Sequence, residues 1–557
     1  MVFLLNSDKK KQLDRITTSS DNEVSAYFEI ASLKQPEKIN LDVPNSPETI
    51  IVIDYGSQYS MLITRRIRES NIYSELISWD SDFDKISHLN IKGFILSGGP
   101  DSVSNDDSPT LPNFVLESNL PVLGICYGMQ LLAKTFGGEV LKSTSSEYGQ
   151  SLLTLGSEPS KLLDNLPSKF SVWMSHGDSV KSLPQDFNLD AFSESAPIAV
   201  MSDINNKYFG IQFHPEVIHT QNGDQIIKNF TVNIANCSQN WTASSFVDEA
   251  IRAIKNEVGS KEVICALSGG VDSAVAATLV HRAIGDQLTC IFVNNGLLRK
   301  DEARRVIETF NNNIGIKLLD IDAADEFIDK LCGTTDPEKK RMIIGEAFIR
   351  VFEKKAKELG EIDFIVQGTT YPDVIESETK GTASAKIKTH HNVGGLPPDM
   401  EFSLIEPLRN LFKDEVRKVG TELGLPDEIV FRQPFPGPGL AIRIMGEVTK
   451  DKLNILRAAD WIVMDEIKKA NTYYDLWQSF AILTNNMTVG VQGDQRTYGH
   501  CIAIRCVSAD DAMTADWAKL PYDLLAKISS RIVNEVPEVN RVVYDITSKP
   551  PGTIEWE

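Results

Sequence analysis

The chain has 557 residues, which at roughly 100–200 residues per domain predicts three or four domains. Apolar residues make up 42% and charged residues 24%, as in an ordinary soluble globular protein. The formal net charge of −21 argues against nonspecific binding to nucleic acid or to an anionic membrane, because its field repels phosphates, so any phosphate site must be a local pocket.

The cysteines and the apolar runs indicate the class of protein. Seven cysteines are scattered without paired spacing, which is typical of reduced thiols in a cytoplasmic protein and offers neither a disulfide framework nor a zinc pattern. No apolar run approaches about 18 residues, so no transmembrane helix is expected. The apolar start of the chain is too short for a signal peptide.

The first predicted strands follow a polar segment. Residues 1–48 show no sustained period and are interpreted as a variable N-terminal extension. Residues 50–54 form a β-branched run typical of a buried parallel strand, and strand-like runs recur at residues 93–96 and 122–125. Because helical stretches separate these runs, we expect an open, mostly parallel α/β sheet.

A cysteine flanked by glycines follows the third of these strands. Gly124 and Gly128 stand two residues on either side of Cys126, and a helical stretch comes next. Small residues at these positions permit a sharp strand-to-helix turn that presents the thiol above a helix N-terminus, where the macrodipole favours thiolate. The alternative interpretation is a buried structural cysteine in a tight turn.

Two further segments favour a nucleophilic cysteine. Gly98 and Gly99 follow the strand at 93–96, and free N–H groups at a Gly-Gly turn suit an oxyanion hole. His214 and Glu216 lie two residues apart, on one side of an extended chain. His214 could therefore take a proton from the thiol while Glu216 orients the imidazole.

These segments, in this order, resemble the class I glutamine amidotransferase family. The resemblance implies a flavodoxin-like fold, a glutamyl thioester on Cys126, a triad completed by His214 and Glu216, and an oxyanion held by the N–H groups of Gly98 and Tyr127. Residues 146–149 and 173–178 resemble further family segments near the glutamine pocket, where we expect a structural role for His176.

A second α/β unit is predicted after a linker. Residues 231–244 are polar and are interpreted as the linker, and Ser245 is expected to cap the helix that follows. Strands are then predicted at residues 263–267, 288–293 and 364–366.

A glycine-rich loop follows the first strand of this unit. The loop consists of Ser268, Gly269, Gly270, Val271, Asp272 and Ser273. Its N–H groups, the helix N-terminus and the serine hydroxyls can hold an anion, but there is no Walker lysine. A loop that grips the β and γ phosphates as one leaving pyrophosphate would expose the α-phosphorus, which predicts adenylation by ATP, with Asp272 as a Mg²⁺ contact. The plain alternative is a glycine-rich turn that caps a helix.

The six residues from Ser268 to Ser273 resemble the pyrophosphatase loop of N-type ATP pyrophosphatases. The fold of that family is adenine nucleotide hydrolase-like. Residues 292–298 fit the end of the second strand, where the adenosine would lie at the carboxyl edge of the sheet. Asn294 stands where Asp is usual before the Asn-Gly-Leu-Leu-Arg stretch, so a hydrogen bond rather than a charged contact is expected there.

A Pro-Gly run at residues 433–439 cannot continue a helix and begins a smaller α+β segment. A helix is predicted around residues 449–470, and strands near 500–508 and 540–546. The predicted domains are an extension (1–48), an amidotransferase domain (49–240), an ATP pyrophosphatase domain (241–432) and a dimerisation and substrate-binding domain (433–557).

The chain from about residue 50 to its end resembles the glutamine-hydrolysing GMP synthetase family. The most specific stretches are residues 336–345, 367–377, 386–397, 434–440, 490–498 and 548–557. The resemblance implies a cytoplasmic purine-biosynthetic ligase that takes glutamine, ATP and xanthosine monophosphate (XMP), and a homodimer formed through the third segment. Residues 483–488 replace a usual Pro-Val-Arg-Ser segment, so a basic substrate contact is expected to be absent there.

Six residues are candidates for a site around the nucleotide acceptor. A phosphate requires cations at close range even on an acidic protein, and Arg341, Lys549 and Arg541 could supply them. The resemblance places Arg341 and Lys549 at the substrate. Gln492 and Glu555 could read the base by hydrogen bonds, and Lys386 belongs to a basic, glycine-containing loop that suits a lid. The alternative for Lys386 is a solvated surface loop. Two other functions stay open on the sequence alone: a tRNA base as the acceptor, and a catalytically idle binding module.

Overall fold

The computed structural model describes residues 47–105, 107–360, 362–378, 403–492, 494–509 and 514–557. The described residues up to Glu249 form one compact unit, and those from Ala250 onward form a second. The predicted extension, apart from its last two residues, and the predicted lid residue Lys386 lie outside the described residues.

The first unit combines nine strands with short helices. The strands are β1 (Glu48–Asp54), β2 (Tyr73–Ser78), β3 (Asn90–Leu96), β4 (Val122–Ile125), β5 (Glu139–Leu155), β6 (Lys169–Ser182), β7 (Phe187–Phe192), β8 (Val200–Asp203) and β9 (Tyr208–Ile211). The helices are α1 (Ser60–Glu69), α2 (Asn113–Glu117), α3 (Tyr127–Thr135) and α4 (Gly223–Lys228), and a π-helical turn (Asn229–Ile234) continues α4. A further helix, α5 (Ala243–Val258), begins in this unit and ends in the second.

The strands form one sheet in the order β2-β1-β3-β4-β9-β8-β7-β5-β6, whose first five members are parallel. The five central residues of β1 are buried, as its β-branched run predicts for a strand covered on both faces. Leu96 pairs with Gly124, and Ile125 pairs with Ile211. This register brings the carboxyl ends of β3, β4 and β9 to one edge of the sheet, where the candidate thiol site lies.

The second unit contains the remaining elements. Its strands are β10 (Val263–Ala266), β11 (Leu288–Asn294), β12 (Lys317–Asp322), β13 (Phe364–Val366), β14 (Ser403–Ile405), β15 (Gln478–Gln492), β16 (Gln495–Ser508), β17 (Asp516–Trp517) and β18 (Val539–Tyr544). Its helices are α6 (Val271–Ile284), α7 (Glu302–Ile307), α8 (Ala324–Lys330), α9 (Pro337–Glu358), α10 (Tyr371–Glu378), α11 (Lys413–Glu422), α12 (Asp427–Val430), α13 (Lys450–Lys469) and α14 (Tyr522–Glu535), with a π-helical turn (Glu308–Ile314) after α7.

These strands form two sheets. The first is a five-stranded parallel sheet in the order β12-β11-β10-β13-β14. In the second sheet β15, β16 and β17 are antiparallel neighbours, and β18 lies parallel to β16. One hydrophobic cluster joins the two sheets, since Ile264 and Ile291 of the first and Ile504 of the second belong to it together with Leu456 of α13.

The fold class is confirmed: the protein is multidomain α/β, with two parallel-rich sheets and a small C-terminal α+β segment. The helix predicted around residues 449–470 is present as α13. The three boundaries between the predicted domains stay predictions. Of the helices in the described part of the chain, none is both long and apolar enough to cross a bilayer.

Two local predictions are wrong. The predicted linker begins inside the π-helical turn, because residues 231–234 continue the helical chain. Ser245 does not cap α5, which begins at Ala243. Thr242 caps it instead: its Oγ1 accepts from the Ser245 N–H at 3.2 Å, and the Ser245 hydroxyl accepts from the Thr242 N–H at 3.1 Å, an exchange of the capping-box type.

Candidate active site

The turn after β4 holds Cys126 in a conformation rare for a residue with a side chain, at φ +51° and ψ −104°. A Cβ placed on Gly124 would lie 2.5 Å from the carbonyl carbon of Gly128, and one on Gly128 would lie 2.4 Å from the main-chain oxygen of Leu96. Both positions therefore require glycine. Strain of this kind persists where the surrounding structure fixes it, as in a nucleophile elbow.

The structure brings the predicted triad together. His214 Nδ1 lies 2.7 Å from Oε1 of Glu216, and the Cys126 side chain is near enough to His214 to raise the pKa of the imidazole. All three side chains are buried. Burial by itself lowers the pKa of His214, but the Glu216 charge and hydrogen bond and the neighbouring Cys126 side chain outweigh it, so this pKa lies well above its usual value. An imidazolium formed here can give a proton to a leaving amine.

The two predicted oxyanion donors flank this group. A Cβ on Gly98 would lie 3.2 Å from Cε1 of His214 and 3.7 Å from Cβ of Cys126. Tyr127 is the first residue of α3, so its N–H points out of the helix N-terminus. Within the described residues, neither N–H donates to another group. The arrangement suits an oxyanion that develops beside the Cys126 sulfur.

The surroundings of the sulfur include groups that the sequence analysis missed. The thiol donates to the main-chain oxygen of Ser175 at 3.5 Å, and Nε2 of Gln212 lies 3.7 Å from the sulfur. Gln130 of α3 contacts Oε1 of Gln212 at 3.4 Å. A signal was present: Gln212 is the one polar residue between Phe209 and Phe213. A polar side chain that continues a buried strand needs a polar partner.

His176 has fixed partners on both ring nitrogens. Its Nε2 lies 3.2 Å from Oε2 of Glu147, its register partner on β5, and its Nδ1 lies 3.0 Å from the main-chain oxygen of Asp178. Burial lowers the pKa of His176 in spite of the nearby carboxylate. These contacts suit the structural role expected for His176, which stays a prediction.

The glycine-rich loop lies in the second unit, between β10 and α6. Gly269 has φ +75°, and Gly270 is the N-cap of α6. The hydroxyls of Ser268 and Ser273 lie 3.0 Å apart, and the Ser273 hydroxyl also accepts from the Ser268 N–H at 3.2 Å. The two serines thus close the loop while the first N–H groups of α6 are left for an anion.

Asp272 of this loop is paired with a cation. Nζ of Lys413, the first residue of α11, donates to both carboxylate oxygens of Asp272. Across the described residues, no group of three or more His, Cys, Asp and Glu side chains is arranged to hold a metal ion. The loop therefore supplies one carboxylate, which a lysine holds in this structure.

Arg432 is a second contact that the sequence analysis missed. Its Nη1 donates to the main-chain oxygen of Gly269 at 2.8 Å, and its Nη2 pairs with the buried Glu302 of α7. Arg432 directly precedes the Pro-Gly run at residues 433–439, and its position in the chain gives no sign that it reaches a loop more than 160 residues away.

The predicted phosphate ligands lie in the same unit. Arg341 of α9 donates from Nη2 to the main-chain oxygen of Glu557 at 2.7 Å, and its Nη1 is buried without a hydrogen-bond partner in the described residues. Lys549 exchanges main-chain hydrogen bonds with Ala515, at 2.7 and 3.0 Å. The orphaned nitrogen makes Arg341 a ready anion ligand.

Of the predicted base-reading residues, Glu555 is described in full. Its carboxylate accepts from Nε and Nη2 of Arg443, at 3.0 and 2.7 Å, and from Nε2 of Gln478 at 2.9 Å. Arg443 is fully buried, with its guanidinium carbon 3.9 Å from the ring centre of Phe480. For Gln492 only the backbone is described; it pairs with Gln495 at the end of the hairpin.

The structure shows the contacts of the two departures from the family pattern, Asn294 and residues 483–488. Nδ2 of Asn294 donates to Oδ1 of Asp322 at 3.2 Å, a contact that an aspartate could not make without protonation. Residues 483–488 lie in β15, where the pairing with β16 shifts between Leu483 and Met487. Thr484 there donates to the main-chain oxygen of Cys501 at 2.8 Å.

Three family profiles match successive parts of the chain. Residues 51–234 match the profile described as glutamine amidotransferase class-I, residues 244–351 match NAD synthase, and residues 465–556 match the GMP synthase C terminal domain.

Similar full-length proteins carry one name. The chain is 60% identical over 534 residues to a GMP synthase (glutamine-hydrolyzing) of Dehalococcoides mccartyi, covering 95% of this chain and 100% of that protein. It is 57% identical to the protein of the same name from Geobacillus kaustophilus, covering 92% of this chain and 99% of that one. For that of a Synechococcus strain the identity is 52%, with 96% and 99% covered.

Proposed function

The chain belongs to the family of glutamine-hydrolysing GMP synthases, and on that premise we propose how its residues divide the reaction between two sites. The enzyme hydrolyses glutamine to glutamate and ammonia, adenylates XMP with ATP, and aminates the product to GMP with release of AMP. Because the enzyme aminates XMP, the two other functions that the sequence left open, a tRNA base as the acceptor and a catalytically idle binding module, are excluded.

In the first unit we propose that Cys126 makes the ammonia. Its thiolate sulfur attacks the carboxamide carbon of glutamine while the N–H groups of Gly98 and Tyr127 hold the oxyanion. The C–N bond breaks, His214 gives its proton to the leaving amine, and a glutamyl thioester remains. Water then adds to the thioester carbon while His214 takes its proton, the C–S bond breaks, and glutamate and the Cys126 thiolate are released. Glu216 keeps the imidazole oriented through the 2.7 Å hydrogen bond.

In the second unit we propose that the loop from Ser268 to Ser273 binds the β and γ phosphates of ATP. Gly269, Gly270, Val271 and Asp272 supply main-chain contacts, and the serine hydroxyls complete the site. The 2-oxygen of XMP attacks the α-phosphorus, the bond to the β-phosphate oxygen breaks, and pyrophosphate leaves as one unit. Ammonia then adds at the adenylated carbon, and AMP departs.

We propose that the loop binds Mg²⁺, because it offers a carboxylate beside the phosphate site. Asp272 offers one carboxylate, and Mg²⁺ is commonly held by one or two carboxylates together with substrate phosphates and water. Asp272 would hold the ion after its pair with Lys413 opens. When bound, the ion supplies charge neutralisation on the phosphate oxygens.

The contacts with XMP are likewise proposed from the donor and acceptor groups that the residues offer. Arg341 and Lys549 would bind the phosphate, and Glu555 and Gln492 would read the base. The buried, unpartnered Nη1 of Arg341 supports its part. A closing lid that contains Lys386, a homodimer formed through residues 433–557 and a cytoplasmic location are proposed from family membership.

The observation that carries the proposal is the buried Cys126–His214–Glu216 group in one compact unit, with the phosphate-binding loop in the other. Cys126→Ala should abolish glutamine-dependent GMP formation and leave formation from ammonium salts and the release of AMP and pyrophosphate unchanged. Cys237→Ala, a buried thiol of the same unit outside the site, is the matched control and should keep both activities. An equal loss of both activities in Cys126→Ala would contradict the division of roles.

A further inference from the structure

The lysine next to Arg341 on α9 has no exposed surface. Nζ of Lys340 donates to the main-chain oxygens of Ala441 and Ile444, at 3.2 and 2.7 Å, and to the carboxylate of Glu557. A buried ammonium is costly unless acceptors and an opposite charge surround it. These three acceptors satisfy all three of its N–H groups, so Lys340 fixes Glu557 against α9.

Glu557 uses its side chain and its main chain for different partners. Its side chain is almost fully buried, with one carboxylate oxygen on Lys340 and the other accepting from the Gly446 N–H at 3.2 Å. Its main-chain oxygen accepts from Nη2 of Arg341 at 2.7 Å. Because the carboxylate is held by Lys340, the main-chain oxygen is held where it meets the guanidinium.

The guanidinium of Arg341 is thereby fixed with one donor unused. Nη2 is bound by Glu557, and Nε lies 3.4 Å from the carboxylate of Glu338. Nη1 is buried, and it has no acceptor in the described part of the chain. A guanidinium is planar, so fixing Nη2 and Nε sets the direction in which Nη1 points.

We propose that the Lys340–Glu557 pair is a positioning element for substrate binding. The pair holds the main-chain oxygen of Glu557 against Arg341, which directs Nη1 at the phosphate of XMP. This inference rests on the proposed contact between Arg341 and that phosphate. Neither Lys340 nor Glu557 touches the nucleotide; both act through Arg341.

The first test removes the charge of Glu557 and keeps its shape. Glu557→Gln should raise the KM for XMP by roughly tenfold or more in the ammonium-dependent reaction, because a charge-assisted contact behind Arg341 is lost. The KM for ATP and glutamine hydrolysis should stay unchanged. The matched control is Glu358→Gln, which removes a carboxylate at the far end of the same helix and should leave the KM for XMP unchanged.

The second test asks whether Glu557 acts through Arg341. Arg341→Ala should raise the KM for XMP, and adding Glu557→Gln to it should produce little further increase. An unchanged KM in Glu557→Gln, or an undiminished effect of that change in Arg341→Ala, would overturn the inference while the phosphate contact stands. An unchanged KM in Arg341→Ala itself would overturn the phosphate contact and the inference together.

A third variant separates positioning from stability, since Glu557→Gln leaves a buried cation. Lys340→Met combined with Glu557→Gln removes both charges and should restore thermal stability, as apolar replacement of a buried ion pair often does. The KM for XMP should remain raised, because the ionic contact with Lys340 that fixes Glu557 is then missing and only the contact with the Gly446 N–H remains. A KM that returns to the parental value along with the stability would overturn the inference.

Discussion

Arg443 donates to both carboxylate oxygens of Glu555, from Nη2 to Oε1 at 2.7 Å and from Nε to Oε2 at 3.0 Å. Gln478 adds a third hydrogen bond, to Oε1 at 2.9 Å. A carboxylate accepts about four hydrogen bonds, so one acceptor position is left, on Oε2. In the proposed base contact, a purine N–H would donate to this position.

Glu555→Gln should therefore weaken binding of XMP more than binding of ATP. The amide keeps the size of the side chain but has an N–H group in place of one oxygen. It therefore cannot accept both hydrogen bonds from Arg443. We expect the KM for XMP to rise about 10- to 100-fold in ammonium-dependent assays, the range of a lost hydrogen bond to a charged group. Equal increases in both KM values would contradict a role in reading the base.

Glu216→Gln should lower the pKa of His214, because the carboxylate charge and its hydrogen bond both raise it. A raised pKa contributes stability that is full below the unfolded value of about 6.5 and is lost as pH rises through the folded value. The parent protein should thus be more stable than Glu216→Gln near neutrality, with a difference that shrinks in alkaline solution. Thermal unfolding across pH tests this, and a difference that grows with pH would refute it.

The same variant should affect catalysis. A neutral amide no longer stabilises the imidazolium or fixes its orientation, so kcat for glutamine hydrolysis should fall by at least about tenfold. The ammonium-dependent rate is the internal control and should not change. Retention of full glutaminase activity would show that Glu216 is not a member of the triad.

Gly128→Ala should destabilise the first unit, since the new methyl group would lie 2.4 Å from the main-chain oxygen of Leu96. Overpacking against backbone costs about 1–3 kcal/mol or more. Gly345→Ala is the matched control: it lies in the interior of α9 with nothing within 4 Å of the added carbon, and it should stabilise by about 1 kcal/mol. Chemical denaturation of both variants measures the contrast, and equal effects would contradict the close approach at the elbow.

Arg432→Lys should raise the KM for ATP more than that for XMP. A lysine keeps the charge beside Glu302 but cannot also reach the main-chain oxygen of Gly269, so the phosphate-binding loop loses a fixed contact. We expect about a tenfold increase, with glutamine hydrolysis unaffected. The hypothesis fails if the KM for XMP rises as much as that for ATP.

Local sequence predicted the elements that carry the chemistry better than it predicted their partners. The strand at Val122–Ile125 and the turn at Cys126 could be predicted because hydrophobic runs and glycine spacing act over a few residues. The pairing of Arg443 with Glu555 joins positions 112 residues apart, and nothing near either residue indicates it. Long-range polar pairs depend on how strands are ordered in the sheets, which periodicity does not reveal.

Errors at the ends of elements have a different cause. Ser245 and Thr242 are both good capping residues three positions apart, and the sequence does not decide which of them caps the helix. The strand β15 was missed because the polar residues 484–486 interrupt it, although its backbone pairs with β16 on both sides of them, from Gln478 to Leu483 and from Met487 to Gln492. The local hydrogen bonds between Thr242 and Ser245 decide the first case, and pairing with β16 decides the second.

The elbow at Cys126 has a consequence for protein engineering. The two flanking glycines are fixed by the main chain of their neighbours, and the nucleophile between them has the strained backbone of the turn, at φ +51°. Replacement of the sulfur by oxygen or selenium leaves the backbone of the turn unchanged. Serine and selenocysteine variants would therefore allow oxygen, sulfur and selenium nucleophiles to be compared in the same backbone geometry. A combinatorial library directed at this turn should keep both glycines constant and vary only the residues between them.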